Sequence, residues 1–363
     1  MGRPVSFVLA ALGFMALIVL HELGHFAAAK AVGMRVERFS LFFPPLIWRR
    51  QGKGETEYAL GAIPLGGYVK ISGMNPHEEL PPEVAPRAYY RQKPWKRIVV
   101  ILAGPAVNIV LAFLIFAGLT LNSGVPTDGA HVATVQRELP AEGVLVPNDR
   151  IVSVDGRTGD SRQLSDRIAS HRCSGRLKAG CAAATPVTLD ILRDGKRVRE
   201  TVKPVYDPEF KRMRLGFTSE AVRRDVGPAG AAKGSLDQMW FITSRTLTVL
   251  GGLFDAEKRK QLSGVVGSYE TARSAVQIDL TTALFVLGLI SLSLGIVNLF
   301  PFLPLDGGHV FWAVAEKVRG KAIPFSVMER SGFIGFALVL ILFAIGFSND
   351  LNTLLGPGFD LSR

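Results

Sequence analysis

Apolar residues in this chain gather into long blocks. Charged residues are absent over 98–121, 281–305 and 331–348, and residues 4–29 are nearly all apolar with a few polar positions near the end. Each block reaches the roughly 18–20 residues that a helix needs to cross about 30 Å of hydrocarbon. The pattern predicts four transmembrane helices, and therefore a polytopic α-helical protein in a lipid bilayer.

Two apolar segments allow a second interpretation. The block at 237–254 is short and contains Arg245, so we predict a helix that lies at the membrane interface or against the bundle. The first block resembles a cleavable signal peptide, because Arg3 precedes it and three alanines stand at 27–29. Its apolar stretch is long and its polar residues have helical spacing, which favours a retained span.

The segment between the second and third spans has a different pattern. Apolar and polar residues alternate at 150–156, 187–192 and 197–202, as expected for strands, and Asp-Gly pairs mark turns. We predict a β-rich domain over 122–210 and a linker over 211–280. Cys173 and Cys181 lie in this domain, where a disulfide is plausible, while a zinc site with His171 would have too few ligands.

Charge settles which side of the membrane the loops occupy. The chain has 363 residues, and because 48% of them are hydrophobic, a disordered chain is excluded. Its net charge of +11 invites a nucleic-acid interpretation. Residues 30–97 hold 12 Lys and Arg against 6 acids, and 316–330 hold 4 against 2. Basic short loops stay cytoplasmic, so we expect both termini and the β-rich domain outside a cell inner membrane, and no nucleic-acid partner.

Candidate chemistry lies in the first span. His21 and His25 are four residues apart and share one helical face, which suits metal binding, while Glu22 can contact a bound water. Ionisable residues inside a membrane are functional by default. A third ligand is needed, and Asp306 is preferred over His309, since a third histidine would leave the aspartate buried and unpaired.

The predicted topology supports the pairing of the two histidines with Asp306. His21 lies 17 residues into the first span, roughly 26 Å along the helix and close to the cytoplasmic side. Asp306 ends the third span, which runs in the same direction, so both reach the same depth. Prolines at 301 and 304 break the helix there, and freed backbone groups are tolerated only inside protein or around a wet cavity.

A site of this kind is arranged for hydrolysis of a bond inside the membrane. One Zn²⁺ would activate water, and Glu22 would move the proton, with a transmembrane segment of another protein as substrate. Such a helix must be unwound first. Short strands predicted at 57–61 and 66–71, separated by Ile-Pro-Leu, offer a sheet edge for it, and a plain cytoplasmic hairpin is the alternative.

Three motifs together resemble the site-2 protease family of intramembrane metalloproteases, in its bacterial RseP-like branch. They are His21–His25, the Gly-Pro-Ala-Val-Asn run at 104–108, and the segment from Asn298 to Gly307. The resemblance implies zinc on His21, His25 and Asp306 with Glu22 as catalytic base. It also implies a membrane-reentrant β element within 35–75 and substrate contacts from a set of five residues: Asn298, Asn108, Gly66, Gly67 and Tyr68.

The resemblance further implies domain roles. The first membrane half is 1–121, the second is 281–363, and 122–210 is one PDZ-like extracytoplasmic domain that screens single-span substrates already trimmed of their ectodomain, such as an anti-sigma factor. Many relatives carry two PDZ domains, and Asn148 stands where a Gly-Asp pair is typical. The alternative is a non-catalytic metal-binding or PDZ adaptor protein, but no internal repeat of the transporter type is present and Glu22 is retained.

Overall fold

The structure is a computed structural model that describes residues 3–75, 77–252, 255, 259 and 262–356. Its helices are α1 (Arg3–Ala31), α2 (Pro94–Ser123), α3 (Ser161–Ala169), α4 (Pro228–Gly251), α5 (Val265–Ile278), α6 (Leu280–Asn298), α7 (Asp306–Arg319) and α8 (Phe325–Leu355). Its strands are β1 (Val36–Gln51), β2 (Glu57–Ile71), β3 (Val125–Val135), β4 (Arg150–Val154), β5 (Val187–Arg193), β6 (Lys196–Val202), β7 (Val205–Asp207), β8 (Arg212–Arg214) and β9 (Phe217–Arg224). The chain forms two compact units, Met1–Leu119 with Ala232–Arg363, and Thr120–Ala231.

Four helices in the described residues are long and apolar enough to cross a membrane, as predicted. These spans are Val5–Ala31, Pro94–Ser123, Leu280–Asn298 and Ser326–Leu355. The third is shorter than the predicted 281–305, because the helix stops at Asn298 and the proline-containing residues 299–305 form turns. The fourth is longer than the predicted 331–348.

Helix α4 packs against two of the membrane-spanning helices, α2 and α6. Its Met239 is buried in a cluster with Phe116 of α2 and Leu292 of α6. Trp240 and Phe241 are exposed. The helix begins before the predicted start at 237, and residues 253 and 254 of that prediction lie outside the described residues. An apolar exposed side beside a buried one suits a helix at the membrane interface.

Strands β1 and β2 form a curled pair, which is antiparallel where 36–41 meets 67–71 and where 46–51 meets 57–61. The first part of β1, residues 36–41, pairs with 67–71 on one side and with 57–60 on the other, and 57–61 also pairs with 46–51. The strands predicted at 57–61 and 66–71 are both present, as parts of the continuous strand β2, and they flank the same part of β1. Residues 67–71 consequently form one edge of this small sheet.

The unit Thr120–Ala231 contains a five-stranded sheet in the order β6-β5-β4-β3-β9. Helix α3 covers it, and Leu164 and Ile168 of that helix join a core with Ile151, Leu189 and Ile191. Asp160 begins α3 with a capping box. The sheet extends past the predicted boundary at 210, because β9 pairs with β3.

Cys173 and Cys181 are joined in a disulfide. His171 does not join them, since its ring nitrogens lie 3.0 Å from Asp155 Oδ2 and 3.1 Å from Thr185 Oγ1. A covalent cross-link therefore closes the segment that carries the two cysteines.

Candidate metal centre

The two histidines of α1 converge because they are one helical turn apart. His21 and His25 are each only 7% exposed, and their Nε2 atoms lie 3.2 Å from each other. Their rings meet edge to face, with centroids 4.8 Å apart. The i and i+4 spacing on a continuous helix is sufficient to create this arrangement.

Asp306 reaches the histidines through the break after α6. It is the first residue of α7, and its Oδ2 lies 3.2 Å from His21 Nε2 and 3.3 Å from His25 Nε2. Gly307 and Gly308 follow directly. A Cβ on Gly307 would overlap the carbonyls of Leu299 and Phe300, so the turn is too tight for a side chain there. The glycines thus permit the close fold-back that brings the carboxylate to α1.

The protons of this group show that it suits a cation. His25 Nδ1 lies 2.8 Å from the Val100 carbonyl, which can only accept, so Nδ1 carries the proton and Nε2 presents a lone pair. Asp306 Oδ2 is buried and has no hydrogen-bond donor among the described residues. Lone pairs that converge in a buried place repel one another unless a positive charge lies between them.

The distances within the group also fit a metal. Among the described residues, the atoms that could hold one belong to His21, His25 and Asp306. Ligands that lie about 2.0–2.1 Å from a zinc ion at tetrahedral corners are about 3.3–3.4 Å apart. The three separations in the structure, 3.2, 3.2 and 3.3 Å, match one face of such a tetrahedron. The fourth corner would remain for water or substrate.

Helix α2 packs tightly against the histidine face of α1. A Cβ on Gly24 would lie 2.6 Å from the Ala103 carbonyl oxygen. A Cβ on Gly104 would overlap the imidazole of His25. Two glycines on facing helices therefore allow the backbones to approach closely, as small residues do in membrane bundles.

Glu22 lies between the group and the edge of the β1–β2 sheet. Its Cγ lies 3.1 Å from the position that a Cβ on Gly67 would occupy. The Glu22 carboxylate is close enough to Asp306 and His25 to interact with them electrostatically. An acid beside a cation-binding group and beside a strand edge can move protons where a bound peptide would lie.

The remaining predicted residues are dispersed around this group. Asn108 Nδ2 lies 3.3 Å from His21 Nδ1, and Asn298 is the half-buried last residue of α6. The Tyr68 hydroxyl accepts a hydrogen bond from Arg38 at 3.3 Å. Gly66 lies against the ring of Phe43.

The other histidines do not join the group. His309 lies outside it, although it follows Asp306 closely, and His77 and His131 are exposed. Sequence reasoning missed the Val100 carbonyl, which has no side-chain signature, and the close contact of Gly104 with His25. The Gly-Pro-Ala-Val-Asn run pointed to this part of α2 without showing what it touches.

Four helices that can span a membrane, together with a buried His–His–Asp group at the break after one of them, define an integral membrane protein with a candidate metal centre. The model of Peptidase family M50 matches residues 9–342, so the chain belongs to this family. The resemblance to the site-2 protease family is thereby confirmed.

Individual relatives cover nearly the whole chain. The Zinc metalloprotease Rip1 of Mycolicibacterium smegmatis is 31% identical over 92% of this chain and 91% of its own length. A Campylobacter jejuni protein named "Putative zinc metalloprotease Cj1068" is 29% identical over 97% of this chain and 95% of its own. A Listeria innocua PDZ domain from an SdrC-like protein covers 26% of this chain and 97% of its own, at 22% identity and a TM-score of 0.21, which is too low to support a fold assignment.

Proposed function

We propose that this protein is a zinc endopeptidase that cleaves transmembrane segments of other membrane proteins. The observation that carries the proposal is the triangle of His21 Nε2, His25 Nε2 and Asp306 Oδ2 at tetrahedral spacing, with Glu22 beside it. Two of the relatives described above carry zinc metalloprotease names, which supports zinc as the metal.

The residues divide the chemistry between them. His21, His25 and Asp306 would hold the metal. When bound, zinc lowers the pKa of a water molecule to about 7 and polarises a carbonyl group. Glu22 then takes a proton from the attacking water and delivers it to the leaving amine nitrogen, a transfer that contributes on the order of 10²–10⁴ in rate. The Asp306 carboxylate offsets part of the positive charge in this apolar surrounding.

The substrate follows from where the group lies. A helix of another protein that crosses the bilayer can approach α1 laterally, but its peptide bonds are hidden in its own hydrogen bonds. The edge formed by residues 67–71 lies beside Glu22 and can pair with an unwound segment main chain to main chain. We propose that β1 and β2 dip into the membrane as a re-entrant element, with Gly66, Gly67, Tyr68 and Asn298 along the substrate path.

In this proposal, the unit Thr120–Ala231 selects which proteins become substrates. Its sheet and single covering helix suit a PDZ-like domain on the extracytoplasmic side of the inner membrane, along with both termini. Such a domain would admit single-span proteins that have lost their ectodomain, for example an anti-sigma factor. Cleavage near the cytoplasmic side would release a cytoplasmic fragment.

The direct test replaces Glu22, the proposed proton carrier, and leaves the three proposed metal ligands intact. Glu22→Gln should lower release of a tagged cytoplasmic fragment from a single-span substrate by on the order of 10²–10⁴. Zinc content per chain, measured on detergent-purified protein, should stay at the wild-type level.

The matched control is Glu83→Gln, which makes the same change at an exposed position and should cleave normally. A metal chelator should stop wild-type cleavage, and added zinc should restore it. Equal cleavage by wild type and Glu22→Gln would contradict the proposal.

A further inference from the structure

One face of α2 touches both histidines of the metal centre. Val100, Gly104 and Asn108 are spaced at i, i+4 and i+8, so they lie on the same side of the helix. The Val100 carbonyl accepts a hydrogen bond from His25, and Gly104 lies against its ring. Asn108 reaches His21 at 3.3 Å.

At Asn108, two hydrogen-bond donors face each other when His21 binds a metal. If His21 binds a metal through Nε2, its neutral ring carries the proton on Nδ1. That nitrogen faces Asn108 Nδ2, which also donates. Asn108 is 0% exposed, and its buried Oδ1 lacks a hydrogen-bond partner among the described residues. A half-turn of the amide exchanges the two atoms and satisfies both the Nδ1 proton and the orphan oxygen.

We propose that Asn108 is a positioning residue, which accepts the His21 Nδ1 proton through Oδ1 and thereby fixes the tautomer and ring orientation of this ligand. The inference rests on the proposed zinc function. It assigns α2 the outer hydrogen bonds of both histidines, from a backbone carbonyl for His25 and from an amide for His21. Outer partners of this kind typically change metal affinity by about 10–100-fold.

This assignment is an alternative to the substrate contact predicted for Asn108 from sequence. The side chain has no exposed surface in this structure, which favours a contact within the protein. Two residues of α6 contact the asparagine near its backbone, since Ser291 Oγ donates to its backbone carbonyl at 2.8 Å, and Gly295 packs close to its Cβ. These contacts hold the backbone of Asn108 beside His21.

The experiment measures zinc binding rather than cleavage. Full-length wild type, Asn108→Leu, Asn108→Asp and Ser291→Ala are purified in detergent, and zinc affinity is measured by competition with a chromophoric chelator. Asn108→Leu should bind zinc about 10–100-fold more weakly. Asn108→Asp keeps an acceptor in the same place and should bind no more weakly than wild type. Ser291→Ala removes only the bond to the Asn108 backbone carbonyl and leaves the side-chain acceptor in place, so zinc affinity should stay close to that of the wild type.

A second readout reports ligand geometry. Substitution with Co²⁺ gives visible absorption bands that depend on how the ligands are arranged, and these should shift in Asn108→Leu but not in Asn108→Asp. Thermal unfolding of each metal-free variant shows how much of any change is structural.

Two results would overturn the inference. One is wild-type zinc affinity with an unchanged cobalt spectrum in Asn108→Leu. The other is equal weakening in Asn108→Leu and Asn108→Asp, in step with lost stability. In either case tight zinc binding by the wild type would leave the proposed function intact. A wild type that binds no zinc would remove the proposed function and this inference together.

Discussion

Asp149 is a fully buried carboxylate in the β-rich unit. Arg193 donates to both of its oxygens, at 2.8 and 2.7 Å, and the Val146 N–H donates at 2.9 Å. Burial opposes ionisation, but these donors outweigh it and hold the pKa of Asp149 below its ordinary value of 3.8. Arg193 also donates to the Val144 carbonyl at 2.8 Å, so one side chain ties β5 to the loop before β4.

We expect this pair to make the unit acid-sensitive. Since folding lowers the pKa of Asp149, the stabilising contribution of the pair is complete above the ordinary value of 3.8 and is lost as pH falls through the folded value. Arg193→Met should cost about 2–3 kcal/mol at pH 7, because a buried carboxylate loses charged donors, and the difference from wild type should narrow below about pH 4. The full chain is titrated with urea at each pH. Deuterium uptake by β4 and β5, measured in a short pulse at one common pH, then reports how much of the unit is unfolded and so measures both effects.

Arg199→Met provides the control for that experiment. Arg199 also pairs with an aspartate of the same unit, Asp190, but its side chain is 72% exposed. Water screens the attraction in an exposed pair, so this variant should change the urea midpoint little. If the two variants lose equal stability, the buried pair is not the stronger one.

Residue chemistry explains which site residues could be predicted. His21 and His25 follow from helical spacing, and Asp306 follows from a carboxylate placed at a helix break. The Val100 carbonyl could not be predicted, because every residue has one and only packing selects it. Asn148, noted as a departure from the usual Gly-Asp pair, has a φ of 72°, a left-handed conformation that asparagine tolerates better than most side chains.

At the scale of elements, α2 has two glycines with different surroundings. Gly104 lies against His25, whereas Gly118 has no neighbour within 4 Å of a built Cβ. Gly104→Ala should push the imidazole out of place and weaken zinc binding by at least about 10-fold. Gly118→Ala should leave zinc binding unchanged, and alanine favours a helix interior by about 0.8–1.0 kcal/mol over glycine.

Zinc per chain after dialysis against a weak chelator tests this pair of variants. Alanine at either position has the same helix propensity, so a difference in metal content arises from the contact with His25. Retention of zinc by Gly104→Ala would mean that the ring can move aside without leaving the metal.

Elements were predictable to different degrees. The four spans follow from apolar length alone, since the bilayer fixes how long they must be. The curl of β1 and β2 does not follow, because pairing of one strand on both sides depends on contacts between residues distant in sequence. The same reason places β9 in the sheet beyond the predicted domain boundary, where only its pairing with β3 defines it.

At the scale of the whole molecule, the net charge of +11 is distributed unevenly. Eight of these net charges lie in residues 30–97 and 316–330, the loops assigned to the cytoplasm. Arg97 at the base of α2 pairs with Glu316 of α7 at 2.8 Å, so these two loops also meet through an ion pair. The anionic inner leaflet attracts such segments, which supports the assignment.

That orientation predicts opposite accessibility for two introduced cysteines. Lys196→Cys in the β-rich unit should react with a membrane-impermeant maleimide in intact cells, whereas Ser326→Cys at the start of α8 should react only after the membrane is opened. Both positions are exposed, so burial does not limit labelling. The native cysteines are joined in a disulfide, and the unmodified chain therefore serves as the unreactive control. Labelling of both positions from the same side would contradict the four-span topology, and with it the common depth of His21 and Asp306 on which the zinc centre depends.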